Sequence, residues 1–403
     1  PSSSDNITFT ITPSPKTFYS TTYKIRVTTG VEDNAGNNIA SQNTQTYGFK
    51  TSTTFSTTSG KYHICKMLDN SSIKCWGNNA NGQLGLGNTG SIGDGANEMG
   101  DNLTVVDLGT GRTAKAIAAG GDHTCAILDN SSIKCWGMNA SGQLGLGSTD
   151  NLGDAGSEMG DDLDAVDLGS GRTATSIAAG LEHTCAILDN SAVKCWGDNA
   201  KGQLGIGDTN DRGDNSSEMG DTLPTVDLGS GRTAVSITAG FFHTCAMLDD
   251  NSVKCWGLAD SGQMGTGKTF NLGDGPGEMG NSLTAIELGT GRTATAIAAG
   301  YLHTCAILDN ASIKCWGANE DGQLGLGDSD NRGDSVQGDG SSQMGDNLPS
   351  VDLGTGRSAR GIVAGENHNC AIMDNGYIKC WGFNNSGQLG LGSTDSRGDG
   401  ANE

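Results

Sequence analysis

The chain has 403 residues, a formal net charge of −22 and 34% hydrophobic residues. A strongly acidic surface repels phosphate backbones and anionic lipids, so we expect no nucleic-acid partner. No apolar run approaches the roughly 18 residues that a membrane span requires, so we also expect no membrane insertion. The first residues, PSSSDNITFT, show no signal peptide, and any targeting segment is expected to lie outside this sequence.

Residues 1–53 contain three stretches typical of short strands, ITFTIT, YKIRV and TYGFKT, separated by polar turns such as EDNAGNN. This segment resembles the C-terminal half of a bacterial immunoglobulin-like domain. Such modules end with a D-x-A-G-N turn and a final F-x-T strand, which VEDNAGNNIA and YGFKTST supply here. The resemblance implies a partial β-sandwich in residues 1–53.

Residues 54–403 repeat with a period of about 60 residues, which lengthens to 65 in the last spacing. Each period offers four short strands, A (AIAAG), B (HTCAIL), C (IKCWG) and D (AVDLG), with a compact DNSS turn between B and C. Units of this size stack on one another because none can bury its own faces alone. Six such units predict an all-β fold, a β-propeller of four-stranded blades whose last repeat is incomplete.

The motif HTCAILDNSSIKCWGMNASGQLGLG makes the prediction more specific. It is similar to the regulator-of-chromosome-condensation (RCC1-type) repeat, in which a small-residue strand precedes G-x-x-H and W-G-x-N-x-x-G-Q-L-G. All six repeats carry the His, the Trp-Gly and the G-Q-[LM]-G core. Since propellers of this family usually have about seven blades, the resemblance implies six or seven blades in the intact protein.

Two cysteines recur in each repeat at a fixed spacing, which favours disulfides and an oxidising compartment. A short B–C turn would place the two cysteines opposite each other. A metal site using His123, Cys125 and Cys135, or free core thiols, are the alternatives. The predicted pairs are Cys65–Cys75, Cys125–Cys135, Cys185–Cys195, Cys245–Cys255, Cys305–Cys315 and Cys370–Cys380.

Histidine and tryptophan each occur once per repeat, at fixed positions. Neighbouring blades lie too far apart to share a metal ion through these histidines, so we expect each ring to make a hydrogen bond that pins its A–B turn. The tryptophans are interpreted as blade-packing residues.

The C–D connection is acidic and places carboxylates at regular intervals. Calcium is the one cofactor that this pattern suggests, because it binds several oxygens in flexible loops. Ion pairs with the Arg of each GTGRT or GSGRT turn, such as Arg112, are an equally good explanation. The candidate calcium ligands are Asp94, Glu98, Asp101, Asp154, Glu158 and Asp161.

Positions that differ between the repeats indicate where binding specificity lies. They are the doublet before each His and the residue after each Trp-Gly, and an up-and-down blade places both at the same end. Loops on a rigid scaffold carry binding function, and aromatic side chains dominate binding energy. The alternative is that these residues only cover the propeller opening. The candidate ligand-binding residues are Tyr62, Leu181, Glu182, Phe241, Phe242, Tyr301, Leu302 and Phe383.

The sequence shows no catalytic motif, so we expect a binding protein and no enzyme. We predict a secreted or cell-surface bacterial module that binds a protein or a glycan, with other copies of the chain as further candidate partners. A structural repeat without a discrete ligand is the alternative. Nucleotide exchange on a small GTPase, as the resemblance implies, fits the acidic charge and paired cysteines less well.

Overall fold

The computed structural model describes residues 57–334 and 343–400, together with the backbone of four short strands nearer the N-terminus. The chain divides into two compact units, Pro1–Phe55 and Ser56–Glu403. The boundary predicted from the sequence lies after residue 53, and all six repeats belong to the second unit.

The described strands of the first unit are β1 (Thr22–Tyr23), β2 (Arg26–Val27), β3 (Asn43–Thr44) and β4 (Phe49–Lys50). β1 pairs antiparallel with β4 and β2 with β3, so the outer pair encloses the inner pair along the chain. The rest of the predicted immunoglobulin-like segment lies outside the described residues, and that assignment stays a prediction.

The second unit is a β-propeller in which six antiparallel blades follow one another along the chain, each ordered A–B–C with the B strand in the middle. Blades 1 to 3 contain β5 (Thr57–Ser59), β6 (His63–Met67), β7 (Ile73–Gly77), β8 (Ala114–Ala119), β9 (His123–Leu128), β10 (Ile133–Gly137), β11 (Ala174–Ala179), β12 (His183–Leu188) and β13 (Val193–Gly197). Blades 4 to 6 contain β14 (Ala234–Ala239), β15 (His243–Leu248), β16 (Val253–Gly257), β17 (Ala294–Ala299), β18 (His303–Leu308), β19 (Ile313–Gly317), β20 (Ala359–Ala364), β21 (His368–Met373) and β22 (Ile378–Gly382). Single 3-10 turns occupy Gly100–Asn102, Gly160–Asp162, Gly220–Thr222 and Gly345–Asn347.

The hydrophobic core lies between the blades. Successive side chains of a strand point to opposite faces, and every residue of β9 is buried because both faces of blade 2 are covered. Ala126 and Leu128 pack with Cys65 of blade 1, whereas Cys125 and Ile127 pack towards blade 3. Each blade therefore depends on its neighbours for burial, as the fixed period predicted.

The six predicted disulfides are confirmed. Cys125 lies directly opposite Cys135 in the β9–β10 register, and the equivalent cysteines face each other in every blade. Their S–S distances are 2.00–2.10 Å and their Cα–Cα distances 4.0–4.1 Å. Since all twelve cysteines are paired, the metal site that needed Cys125 and Cys135 as thiolates is excluded.

The prediction of a fourth strand, D, is wrong for the described residues, because each blade is a three-stranded sheet of strands A, B and C. In the D segment of blade 1, the Val106 N–H donates to the Ile73 carbonyl of the C strand at 2.9 Å. At the next inward residue, Leu108, the carbonyl accepts a hydrogen bond from Lys134 Nζ of blade 2 at 3.3 Å. The segment thus runs beside the C strand but shares its acceptors with the neighbouring blade.

Trp136 explains the G-Q-L-G core of the repeat. Its Nε1 donates to the Gln83 carbonyl of the preceding blade at 3.1 Å, and the ring is fully buried. A Cβ on Gly85, which has φ +67°, would lie 2.8 Å from that Nε1. The blade-packing interpretation of the tryptophans is confirmed for the five interfaces from blade 1 to blade 6, where each indole makes the equivalent bond.

The repeat histidine also joins blades. His123 Nε2 lies 2.9 Å from Thr184 Oγ1 of the next blade, and Thr184 donates to the Gln143 carbonyl at 2.9 Å. The hydroxyl has one proton, so the imidazole must be the donor of the first bond. The predicted bond therefore exists, but its partner lies in the next blade and not in the A–B turn of His123.

Blade 6 leaves one apolar face uncovered in the part of the chain that the structure describes. Ile372 is 45% exposed and Ile378 66% exposed. The equivalent residues of blade 5, Ile307 and Ile313, are 4% and 0% exposed because blade 6 covers them.

Candidate functional site

The positions that vary between repeats meet in every blade, as the sequence predicted. The N–H of the residue after Trp-Gly donates to the carbonyl of the second doublet residue, for example Leu258 to Phe242 at 2.9 Å and Asp198 to Glu182 at 2.8 Å. We call these residues the variable face: Lys61, Tyr62, Asn78, Gly121, Asp122, Met138, Leu181, Glu182, Asp198, Phe241, Phe242, Leu258, Tyr301, Leu302, Ala318, Glu366, Asn367 and Phe383.

Neighbouring doublets contact one another, so the variable face is continuous from blade to blade. The Leu181 N–H donates to the Phe241 carbonyl at 3.2 Å, and the Tyr301 N–H donates to the Glu366 carbonyl at 2.9 Å. Gly121 is required where Leu181 crosses it, since a Cβ there would lie 2.6 Å from the Leu181 carbonyl oxygen. The doublets of neighbouring blades are therefore coupled through these contacts.

Phe241, Phe242 and Tyr301 form one aromatic cluster across blades 4 and 5. The ring centroids of Phe241 and Tyr301 are 4.6 Å apart with an interplanar angle of 82°. Phe242 lies 6.0 Å from Tyr301 and 6.5 Å from Phe241. Edge-to-face contacts of this kind stabilise aromatic groups against one another. All three rings remain half-buried, so the cluster presents a rigid apolar surface to solvent.

The other predicted ligand-binding residues surround this cluster unevenly. Leu181 and Leu302 are half-buried beside it, on blades 3 and 5. Tyr62 is 62% exposed on blade 1, where Lys61 Nζ lies 5.2 Å from its ring centroid. Phe383 is bonded through its N–H to Asn367 on blade 6. The structure thus joins Phe241, Phe242, Tyr301 and their leucine neighbours, whereas Tyr62 belongs to a separate patch.

Leu258 was missing from the predicted site. It follows Trp256-Gly257, is half-buried, and hydrogen bonds to Phe242. The sequence identified this position as variable. The apolar side chain of Leu258 at that position was the signal that could have added it to the predicted site.

Carboxylates on the variable face are held by local hydrogen bonds. Ser141 Oγ donates to Glu182 Oε2 at 2.9 Å, and Gln83 Nε2 donates to Asp122 Oδ1 at 2.9 Å. Burial raises the pKa of Asp122, while the Lys61 charge and the Gln83 hydrogen bond oppose that shift. In both pairs the side chain of one blade's loop reaches the doublet of the next blade.

Two of the candidate calcium ligands, Glu98 and Glu158, accept hydrogen bonds from the loop backbone. Glu98 Oε2 accepts the N–H groups of Gly93 and Gly95 at 2.7 and 2.8 Å. Glu158 accepts the equivalent pair in the next repeat, from Gly153 and Ala155. Burial and the adjacent Glu158 carboxylate raise the pKa of Asp154. These carboxylates therefore organise the C–D connection.

Asp161 makes a different contact and does not join Asp154 and Glu158. Its Oδ1 accepts the Thr110 N–H at 2.8 Å, in the D–A turn of the preceding repeat. Asn281 accepts the Ser230 N–H at the same place in a later repeat at 2.9 Å. A neutral amide fills the role, so the position needs an oxygen acceptor and not a charge.

Within residues 57–334 and 343–400, no group of three or more His, Cys, Asp or Glu side chains could hold a metal ion. Asp94 and Asp101 are therefore not part of such a group of ligands among the described residues, and the calcium site stays a prediction. In the described residues, the arginines of the GTGRT and GSGRT turns form their ion pairs with the B–C turn. Arg112 binds Asp129 of the B–C turn at 3.1 Å, and the equivalent pair recurs in later blades.

None of the helices in the described residues has the length and apolar character needed to cross a membrane.

Comparison with known proteins identifies the repeat family. The sequence profile of the RCC1-like domain matches residues 43–400. The ultraviolet-B receptor UVR8 of Arabidopsis thaliana is 27% identical over 308 residues, covering 74% of this chain and 62% of the receptor. The probable E3 ubiquitin-protein ligase HERC4 of Homo sapiens is 32% identical over 241 residues, covering 59% of this chain and 20% of the ligase. The chain thus spans less than two thirds of either relative.

Solved structures show the same fold. Yeast RCC1 (Prp20), in its complex with Kap60, superposes with a TM-score of 0.64 at 20% identity, covering 86% of this chain and 73% of Prp20. Human WBSCR16 superposes with a TM-score of 0.62 at 18% identity, covering 85% of this chain and 79% of that protein. The repeat motif, the blade architecture and the profile match over residues 43–400 agree, and the chain belongs to the RCC1-like domain family.

Proposed function

We propose that the chain is a protein-binding module and that its variable face holds the partner through Phe241, Phe242 and Tyr301. The supporting observation is the aromatic cluster, which two blades build at positions where the repeats differ. Aromatic side chains in such clusters supply most of the binding energy at protein interfaces. No catalytic role is proposed for the variable face.

A protein partner suits this surface better than a glycan. Sugars stack on freely accessible aromatic faces, whereas these rings pack edge to face against one another and are half-buried. The apolar side chains of Leu181, Leu258 and Leu302 extend the surface beyond the rings. A glycan remains an outcome that the binding experiment can reveal.

We further propose that the module acts outside the cytoplasm, as part of a secreted or cell-surface bacterial protein. The six disulfides support this location, because such bonds persist in oxidising compartments. A chain expressed with and without a secretion signal would test it. Twelve free thiols and full thermal stability in the cytoplasm would contradict the proposal.

Selection from a displayed library of natural protein fragments provides binders whatever the identity of the partner. Each purified binder is then measured by calorimetry against the chain and against the double variant Phe241→Ala/Phe242→Ala. We expect the double substitution to weaken binding by at least about 30-fold, as for aromatic anchors at other interfaces.

Phe270→Ala is the matched control, because Phe270 is an aromatic residue that is 56% exposed outside the variable face. Lys268 Nζ lies 5.1 Å from its ring centroid. Both variants must retain the thermal unfolding temperature of the parent. Equal binding by the parent and the double variant would remove the aromatic cluster from the site.

A further inference from the structure

The aromatic cluster lies between two groups of carboxylates. On the side of blades 2 and 3, Glu182 directly follows Leu181, whose N–H is bonded to Phe241. On the side of blade 6, the Glu366 carbonyl accepts the Tyr301 N–H, and its side chain is exposed. Both ends of the apolar surface are therefore acidic.

Other carboxylates reinforce these two ends. Asp122 and Asp198 lie on blades 2 and 3, and Asp198 hydrogen bonds to the Glu182 backbone. The loop of blade 5 that faces the blade 6 doublet carries Glu320 and Asp321. Burial, followed by the charges of Glu320 and Asp399, raises the pKa of Asp321.

Two lysines lie on or beside the variable face, whereas Arg212 and Arg332 of the neighbouring C–D connections are paired with Asp208 and Asp328. Lys61 lies on blade 1, where its charge opposes the raised pKa of Asp122. Lys201 is exposed on the blade 3 loop, beside the position that faces Phe242. Against these two lysines stand the carboxylates of Asp122, Glu182, Asp198, Asp260, Glu320, Asp321 and Glu366.

An apolar surface between two acidic groups selects its partner by charge. A partner with carboxylates beside its apolar residues would meet like charges, whereas one with lysine or arginine at those places would gain two attractive contacts. Basic side chains also cover apolar surface with their aliphatic stems. We propose that the variable face binds a protein segment in which apolar side chains lie between lysine or arginine residues.

This inference rests on the proposed protein-binding function and assigns the chemistry of the partner. Three short synthetic peptides provide the test. They share the same leucine and phenylalanine positions and carry lysine, serine or glutamate at all others. Binding is measured by fluorescence anisotropy with the purified chain at low and at physiological salt.

We expect the lysine peptide to bind at least about tenfold more tightly than the serine peptide, and the glutamate peptide to bind most weakly. The variant Glu182→Gln/Glu366→Gln should lose about three- to tenfold affinity for the lysine peptide and part of its salt dependence. Gln keeps the acceptor that Ser141 uses, so the fold is retained.

The matched control addresses non-specific attraction, since the whole chain carries a net charge of −22. Asp69→Asn/Asp164→Asn removes two exposed carboxylates that lie outside the variable face. We expect this variant to bind the lysine peptide as the parent does. An equal loss in both charge variants, or failure of the lysine peptide to bind, would overturn the proposal.

The peptide experiment also separates this inference from the proposed function. If Phe241→Ala/Phe242→Ala abolishes binding of selected partners while Glu182→Gln/Glu366→Gln has no effect, the cluster binds proteins but not through charge selection. If neither variant alters any interaction, the variable face is not the binding site, and both proposals fail.

Discussion

His183 Nε2 lies 2.9 Å from Thr244 Oγ1 of the next blade, and both side chains are fully buried. The Thr244 hydroxyl donates a hydrogen bond to the Gln203 carbonyl at 2.9 Å. The same two linked hydrogen bonds, which we call the His–Thr relay, join the other neighbouring blades, with Asn369 in place of threonine at the last interface. The relay leaves one ring nitrogen, Nδ1, without a hydrogen-bond partner among the described residues in the five histidines of blades 1 to 5. Blade stacking therefore has a directional polar component within an apolar core.

Thr244→Val should destabilise the protein by about 1–3 kcal/mol, because the buried His183 N–H loses its acceptor. Thr244→Asn should cost less. At the equivalent position Asn369 performs both tasks, accepting from His303 at 3.1 Å and donating to the Gln323 carbonyl at 2.7 Å. Urea unfolding measures both variants, with the exposed Thr225→Val as control. Equal losses for the valine and asparagine variants would contradict the relay.

Acid should destabilise the propeller before its carboxylates titrate. Burial lowers the pKa of His123, His183 and His243 from 6.5 to about 3, and that of His63 and His303 to about 4. Because the unfolded chain binds protons that the folded chain excludes, stability is complete above pH 6.5 and falls as the pH drops towards about 4 for His63 and His303 and about 3 for the other three rings. Each buried histidine contributes about 2 kcal/mol to the loss at pH 5.

Urea unfolding at pH 7 and pH 5 measures this loss, and calorimetry in buffers of different ionisation enthalpy measures the proton uptake. The variant His183→Gln should weaken the pH dependence. His368→Gln is the control. Burial also lowers the pKa of His368, but the ring is only partly buried and the Glu366 charge opposes the shift. A pH dependence that His183→Gln leaves unchanged would refute the assignment to the buried rings.

The disulfides should reduce in a fixed order. Cys370 and Cys380 are partly exposed in blade 6, whereas the other ten cysteines are 0–1% exposed. Reductant should therefore open the blade 6 pair first, while the other pairs wait for blade opening. Pulsed alkylation followed by peptide mass spectrometry measures the order. Simultaneous loss of all six disulfides would show that reduction follows global unfolding alone.

A lysine introduced at the same strand position of two blades should reduce the stability of the protein by very different amounts. Ile307→Lys buries an ammonium group at a 4% exposed site and should cost more than about 3 kcal/mol. Ile372→Lys introduces the charge at a 45% exposed site and should change stability by less than about 1 kcal/mol. Thermal unfolding of both variants provides the comparison. Comparable losses would mean that the blade 6 face is covered in solution.

The sequence predicted the elements within one blade well, because their signals are local. A short B–C turn predicted that Cys135 lies opposite Cys125, as the register shows. The D segment was harder to predict. Val106 and Leu108 alternate like a strand, but the sequence does not reveal that Lys134 competes for a carbonyl.

The candidate site was partly predictable for the same reason. Repeat comparison identified the variable doublets, and blade topology placed them at one end together with the residues after Trp-Gly. It did not reveal that Gly121 is small because Leu181 crosses it, or that Arg112 pairs with Asp129 of the B–C turn. It also did not show that Tyr301 packs on Phe241 of the preceding blade.

The sequence alone determined the period, the A, B and C strands of each blade, the cysteine pairs and the positions free to vary. These follow from spacing along the chain, since residues two apart share a strand face and short turns join neighbouring strands. Only the tertiary structure decided which residues meet across blades: His183 with Thr244, Trp136 with Gln83, and Phe241 with Tyr301. Such contacts join residues about one repeat apart, and the rotation between successive blades selects which side chains face each other.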